Sequence, residues 1–307
     1  LTDEVLAWAD YAFISSMVVQ RTSAQQIIKR CKELGVKVVA GGPLFTSEHE
    51  QFENVDHFVL NEAELTLPPF LEDLNNNCAK RVYSTAHFAD IQKTPAPLWE
   101  LADLRQYASM SIQYTRGCPY HCEFCNVTSL FGRNPRTKTP EQIVAELDTF
   151  YRMGWRGSVF FVDDNLIGNK KSLKNQLLPA LIKWQREHVP IPFNTEVSIN
   201  VADDESLMQM MSEAGFNTVF VGIETPDTEG LAECNKKQNK NRNLVEDVRR
   251  IQRAGLQVQA GFIVGFDTDT KSIFQRQIDF IQKSGIVSAM VGMLQAPSFY
   301  NPKRNPN

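Results

Sequence analysis

The chain has 307 residues, of which 42% are hydrophobic and 22% charged, with a net charge of −4 and a pI near 5.8. That composition suits a globular protein with one large domain or two smaller ones. The lack of a basic excess speaks against nucleic acid as a partner, and no uninterrupted apolar run reaches the roughly 18 residues of a membrane span.

The first residues carry no signal-peptide pattern. The chain opens at Leu1, without Met and inside a helix expected over 1–9, so it is expected to be a fragment. Strands are expected at 11–16 and 36–40 around a helix at 23–34, with Gly41-Gly42-Pro43 breaking the second strand. A third short strand at 57–60 precedes a helix from Glu64 to about Asn76. This is the pattern of half a doubly wound domain over 1–77. Residues 78–107 carry Pro95 and Pro97 and no clear period, and are expected to be a linker.

From 108 onward, short apolar strands are expected at 111–115, 158–163, 193–198, 218–223, 258–265 and 287–294. One unit recurs along the whole chain: a helix ends on Gly, an apolar residue follows, and a strand begins. It occurs as Leu34-Gly35-Val36, Met153-Gly154-Trp155, Ala214-Gly215-Phe216, Ala254-Gly255-Leu256 and Ser284-Gly285-Ile286. Gly past a helix end adopts the left-handed cap without steric cost. Helix and strand in alternation predict the α/β class and a parallel sheet. Six strands with five helices suit a partial (βα)6 barrel over 108–296, open because a closed barrel of the common kind takes eight. In the helix at 139–153, Ile143, Val144, Leu147, Phe150 and Tyr151 share one face, and Thr139, Pro140 and Gln142 form its start signal. The tail 297–307, rich in Pro, Asn and Lys, continues no pattern.

Six cysteines do not form a disulfide framework here. Cys31, Cys78 and Cys234 are scattered, whereas Cys118, Cys122 and Cys125 cluster in Arg-Gly-Cys-Pro-Tyr-His-Cys-Glu-Phe-Cys. This usage points to a reducing, cytoplasmic compartment and a metal site. Three thiolates on one loop can hold an iron–sulfur cluster but cannot saturate it, because a four-iron cube takes four protein ligands. One iron then stays open for another ligand. The alternative is a structural zinc site, with His121 or a distant cysteine as fourth donor.

Barrel active sites lie at the C-terminal ends of the strands. Asp163-Asp164-Asn165 follows the second barrel strand, Glu196 and Ser198 close the third, Glu224 ends the fourth and Gly265-Phe266-Asp267 ends the fifth. Polar groups thus end apolar strands on the cysteine side. Phe160-Phe161 reads as barrel core, the Met208, Met210, Met211 cluster as helix packing, and the basic run from Lys236 to Arg242 as a solvated loop.

With these residues the chain resembles a radical S-adenosylmethionine (SAM) enzyme with an N-terminal Rossmann-like cobalamin-binding domain. The superfamily signature, C-x3-C-x-(aromatic)-C, is matched by Cys118, Cys122, Phe124 and Cys125. The resemblance implies a 4Fe-4S cluster held by the three thiolates, with the amino and carboxylate groups of SAM on the open iron. Reductive cleavage would release a 5′-deoxyadenosyl radical, which abstracts hydrogen from an unactivated carbon. It further implies that Phe124 packs near adenine, that Asp163 and Asp164 stand where the family has Gly-Gly-Glu, and that Glu196, Ser198 and Glu224 contact ribose and methionine. Gly261, Ile263 and Gly265 match a G-x-I-x-G strand near adenine, with Thr268 replacing its terminal Glu. Ser15, Ser16, Gly41 and Gly42 resemble cobalamin contacts, and a cobalt-ligating His motif would lie upstream of Leu1. The implied reaction is methylation of a small-molecule or lipid-like substrate, with an electron donor such as flavodoxin or ferredoxin. Radical cyclisation or rearrangement without methyl transfer is the alternative within the class, and a non-catalytic zinc or cluster-binding module the alternative outside it.

Overall fold

The computed structural model describes residues 2–295, so the irregular tail expected at 297–307 lies outside the described residues. The chain divides into two compact units between Asp90 and Ile91.

The first unit is built on a parallel sheet of β1 (Tyr11–Ser15), β2 (Lys37–Gly41), β3 (His57–Val59) and β4 (Val82–Tyr83), in that order. β2 is buried on both faces. Val38 and Ala40 pack with Ile28, Leu44, Phe45 and Phe58, while Val39 points the other way, to Val59, Phe70 and Tyr83. A parallel strand covered on both sides reads as a continuous apolar run, as Val38-Val39-Ala40 does. β4 corrects the expectation of a linker over 78–107. Two residues are too short to show a period, and this strand is held by its aromatic side chain. Tyr83 lies edge-on to Phe70 at 5.4 Å and donates its hydroxyl to Asp73 at 2.7 Å. The rest of the expected linker falls mostly in the second unit, as three short 3-10 turns.

The second unit carries the expected open sheet. Its strands are β5 (Met110–Ile112), β8 (Val159–Phe161), β9 (Phe193–Val197), β10 (Phe216–Glu224), β11 (Gln257–Val264) and β12 (Ser288–Met293), all parallel and in chain order, with β5 and β12 at the edges. Between β5 and β8, β6 (Thr115–Arg116) and β7 (Arg136–Thr137) form a small antiparallel pair. β5 is shorter than expected because the next amides leave the ladder. Tyr114 N and Thr115 N both donate to the Asp163 carboxylate instead.

The glycine-ended helices are as the pattern requires: Gly35, Gly154, Gly215, Gly255 and Gly285 all have positive φ. Helix Pro140–Arg152 starts with a capping box, Gln142 N donating to Thr139 Oγ1 at 3.3 Å and Thr139 N to Gln142 Oε1 at 2.9 Å. It buries Ile143, Leu147 and Phe150 against the sheet. Met208 and Met211 are core packing, as expected. Among the described residues, no helix is long and apolar enough to cross a membrane.

Strand alternation sorts the sheet into two faces. Phe193, Thr195, Val197, Val219, Val221, Val258, Ala260 and Phe262 are buried. The intervening Phe160, Asn194, Glu196, Phe220, Gly222, Gly261 and Ile263 are half-buried and line the other face. The expected SAM-contact residues Glu196, Gly261 and Ile263 therefore share the face that the helices do not cover.

Candidate cluster and cofactor site

The cysteine loop leaves the C-terminal end of the sheet. Gly117 has φ +97, and a Cβ there would lie 3.0–3.2 Å from the carbonyl oxygens of Phe131, Gly132 and Asn134. The chain therefore needs Gly at this position, one residue before the first thiol. Cys118 N donates to Gly132 O at 3.3 Å, and Cys125 N to Cys122 O at 3.1 Å, which folds the loop back on itself. All three thiols are free. His121 is exposed, and Cys234 is buried.

Burial pushes all three loop thiols up, and Cys125 reaches about 11, with the neighbouring Cys122 and Cys118 adding to the effect. Burial thus disfavours the thiolate form in the bare loop, and a bound cation would offset that cost. Among the described residues, no three His, Cys, Asp or Glu groups gather closely enough to hold a single metal ion. A four-iron cube places each thiolate on a different iron, so its donors need not meet at one point. Three unbridged thiols on one loop, beside a buried ammonium, fit such a cluster.

That ammonium belongs to Lys236, and it corrects the reading of 236–242 as a solvated loop. Lys236 is buried, its Nζ 2.6 Å from Glu224 Oε1 and 5.6 Å from the centroid of the Phe124 ring. Burial alone would lower its pKa, but Glu224 and the nearby Cys122 outweigh that and raise it. Arg242 is likewise tied, to Asp203 at 2.6 Å and Asp247 at 2.9 Å. No periodic signal marks Lys236. Its place depends on β10, which carries a register shift between Gly222 and Glu224 and holds Glu224 at φ +65. Glu224 Oε1 and Lys236 Nζ both lie over Gly222, where a Cβ would meet them at 2.3 and 2.9 Å. Glu224, expected to contact SAM, is thus paired within the protein.

The other acids divide in the same way. Asp163 is 1% exposed and spends one oxygen on Tyr114 N and Thr115 N, while Oδ2 is buried without a partner among the described residues. Burial raises its pKa to about 7, against the pull of the Thr115 amide. Asp164 accepts from the Gly117 amide and lies near Arg116, so it backs the cysteine loop directly. Ser198 is held by Asn165 Oδ1, which accepts from its amide at 3.1 Å, and its hydroxyl lies 2.7 Å from Asn200 Oδ1. Glu196 is half-buried and its carboxylate makes no hydrogen bond to any described residue; burial and then the charge of Asp164 raise its pKa to about 7.

On β11, Gly261 lies under Phe220, whose ring a Cβ would meet at 2.8 Å, and Ile263 O accepts from Gln277 Nε2 at 3.0 Å. Gly265 has φ +105 and donates its N–H to Asp269 Oδ2 at 2.7 Å. In the first unit, Ser15 and Gly41 are register partners at the ends of β1 and β2, and Ser16 N donates to Gly41 O at 3.3 Å. Gly42 has φ +83, and a Cβ on it would meet Ser15 Oγ at 2.7 Å. The four expected cobalamin contacts are therefore one cluster.

The sequence profile of the Radical SAM superfamily matches residues 112–281, from the end of β5 past β11 and including all three loop cysteines. The chain belongs to the radical SAM superfamily. Membership implies a 4Fe-4S cluster and SAM as cofactors. The chain is 44% identical over 299 residues to an uncharacterized methyltransferase of Synechocystis, covering 96% of this chain and 56% of the relative. It is 39% identical over 300 residues to the hopanoid C-2 methylase of Rhodopseudomonas palustris, covering 96% and 57%. The chain thus spans about half the length of these curated relatives. Among solved structures, the radical SAM methyltransferase TsrM of Kitasatospora setae, with cobalamin and a [4Fe-4S] cluster bound, has the same fold. The TM-score is 0.77 at 15% identity, covering 94% of this chain and 65% of that one. The cobalamin-dependent SAM radical enzyme OxsB matches with a TM-score of 0.74 at 18% identity, covering 94% and 46%.

Proposed function

We propose that this chain is the cofactor-binding part of a cytoplasmic, cobalamin-dependent radical SAM methylase acting on an unactivated carbon of a small or lipid-like substrate. The observation that carries the reading is the loop of three free thiols at the C-terminal end of an open parallel sheet, beside the buried ammonium of Lys236. Similarity to TsrM and OxsB supports cobalamin, and similarity to the hopanoid methylase supports methyl transfer.

In this reading Cys118, Cys122 and Cys125 hold the cluster and leave one iron for the amino and carboxylate groups of SAM. When bound, the cluster supplies the electron that cleaves the sulfonium, and cobalamin supplies methyl-carrying chemistry. Lys236 places a positive charge beside an anionic loop in a site of low water content, where such a charge acts strongly. Glu196 and Asp164 offer carboxylate acceptors to SAM, with Glu196 poised near pKa 7. Phe160, Phe220 and Ile263 supply apolar surface on the same sheet face. Ser15, Ser16, Gly41 and Gly42 form the cobalamin contacts, their glycines keeping backbone accessible.

Anaerobic reconstitution with iron, sulfide, cobalamin, SAM and a low-potential donor such as flavodoxin or ferredoxin tests the proposal. Methylation predicts both 5′-deoxyadenosine and S-adenosylhomocysteine. 5′-Deoxyadenosine alone would favour cyclisation or rearrangement. A colourless protein holding one zinc and releasing neither product would overturn the reading.

A further inference from the structure

The segment after β10 is built as a clamp on the cysteine loop. Helix Thr228–Glu233 ends in a Schellman motif: Lys236 N donates to Leu231 O at 3.0 Å and Asn235 N to Ala232 O at 3.2 Å, with Asn235 at φ +55. That turn aims Asn235 Nδ2 at His121 O, 2.8 Å away, and presents Cys234 O to Glu123 N at 3.1 Å. Farther on, Asn239 Nδ2 is anchored to Gly222 O and Ile223 O at 3.0 and 3.1 Å, at the bulged end of β10. Between these two anchors stands Gln238. Its Nε2 donates to Cys122 Sγ at 3.7 Å, and its Oε1 is buried without a partner among the described residues. Against a thiolate ligand the flipped amide would set oxygen lone pairs on sulfur, so a cluster-bound Cys122 favours the N–H orientation.

We infer that Gln238 is a positioning residue that sets the reduction potential of the cluster through an N–H···S bond to the Cys122 ligand. This rests on the reading of the three cysteines as cluster ligands. A hydrogen bond to a cluster sulfur stabilises the form with more negative charge. The reduced cluster gains one electron from an external one-electron donor, with no bond made or broken, so the N–H favours reduction. The Asn235 contact holds the loop but reaches no sulfur.

The test is an EPR-monitored redox titration of the reconstituted 307-residue chain, against dithionite, together with iron content. Gln238→Met keeps the length of the side chain and removes the N–H. It is expected to disfavour reduction at least tenfold, which for a one-electron couple is a downward shift of ~59 mV. Gln238→Glu, which places an acceptor on the sulfur, is expected to shift the potential further in the same direction. Asn235→Ala is expected to lower iron retention and leave the potential where it was. Equal potentials in the parent and both Gln238 variants would overturn the assignment. So would a shift in Asn235→Ala as large as that in Gln238→Met, because loop placement would then be the cause. A parent chain that takes up iron keeps the functional reading whatever the variants do; one that takes up none contradicts both.

Discussion

The ammonium of Lys236 lies 2.6 Å from Glu224 Oε1, with the two side chains only 11% and 8% exposed. Breaking a buried pair from one side leaves the other charge unpaired, at a cost of about 3–5 kcal/mol. Lys236→Met is therefore expected to lower the stability of the cluster-free chain by that amount, read from urea midpoints near neutral pH. The double variant Lys236→Met/Glu224→Gln should recover most of the loss. Equal loss in single and double variants would show that the pair is not what Lys236 contributes.

Glu196 gives a pH dependence with a definite sign. Its pKa rises from 4.5 in the unfolded chain to about 7 when folded. The native state holds this proton more tightly, so the group contributes stability below about pH 4.5 and loses it as pH rises to about 7. Glu196→Gln in the cluster-free chain should be more stable than the parent by roughly 1–3 kcal/mol at about pH 8, with the difference shrinking towards pH 5. A difference that is constant or grows on acidification contradicts the burial argument.

Gly42 tests the first unit. Its φ of +83 and the 2.7 Å approach of Ser15 Oγ leave no room for a methyl group. Gly42→Ala should destabilise this unit by more than about 1 kcal/mol and, if the loop binds cobalamin, reduce the cobalamin retained on purification. Gly35→Ala provides the contrast, since its φ is also positive but nothing lies within 4 Å of the added Cβ. It should cost stability and spare cobalamin.

The cysteines separate ligand from bystander. Cys118→Ala, Cys122→Ala and Cys125→Ala should each reduce iron from ~4 per chain towards zero after anaerobic reconstitution. Cys234→Ala, which removes a buried thiol 3.9 Å from Leu231 O, should retain the parent's iron. Iron loss in Cys234→Ala alone would move the ligand set to a different loop.

The repeating unit of helix, Gly and strand was legible because a left-handed cap and a 2-to-3.6 change of period leave marks within a few residues. Gly35, Gly154, Gly215, Gly255 and Gly285 all stand where that pattern put them. The cysteine loop was legible for the same reason, its spacing being local. Lys236 and Gln238 were not, because their roles come from contacts more than ten residues away, with Glu224 and Cys122. Tyr83 was missed because a two-residue strand has no period. Asp163 looked like a cofactor group, and its buried hydrogen bonds from the Tyr114 and Thr115 amides show it shaping the chain into the cysteine loop.

In the proposed function, Cys118, Cys122 and Cys125 leave one iron open for SAM. The most direct measurement is the EPR spectrum of the reduced, reconstituted chain with and without SAM. Chelation by the amino and carboxylate groups should change the spectrum of the cluster, and the change should be absent with an analogue lacking both groups. A reduced cluster whose spectrum is the same with and without SAM would show that no iron is open to SAM.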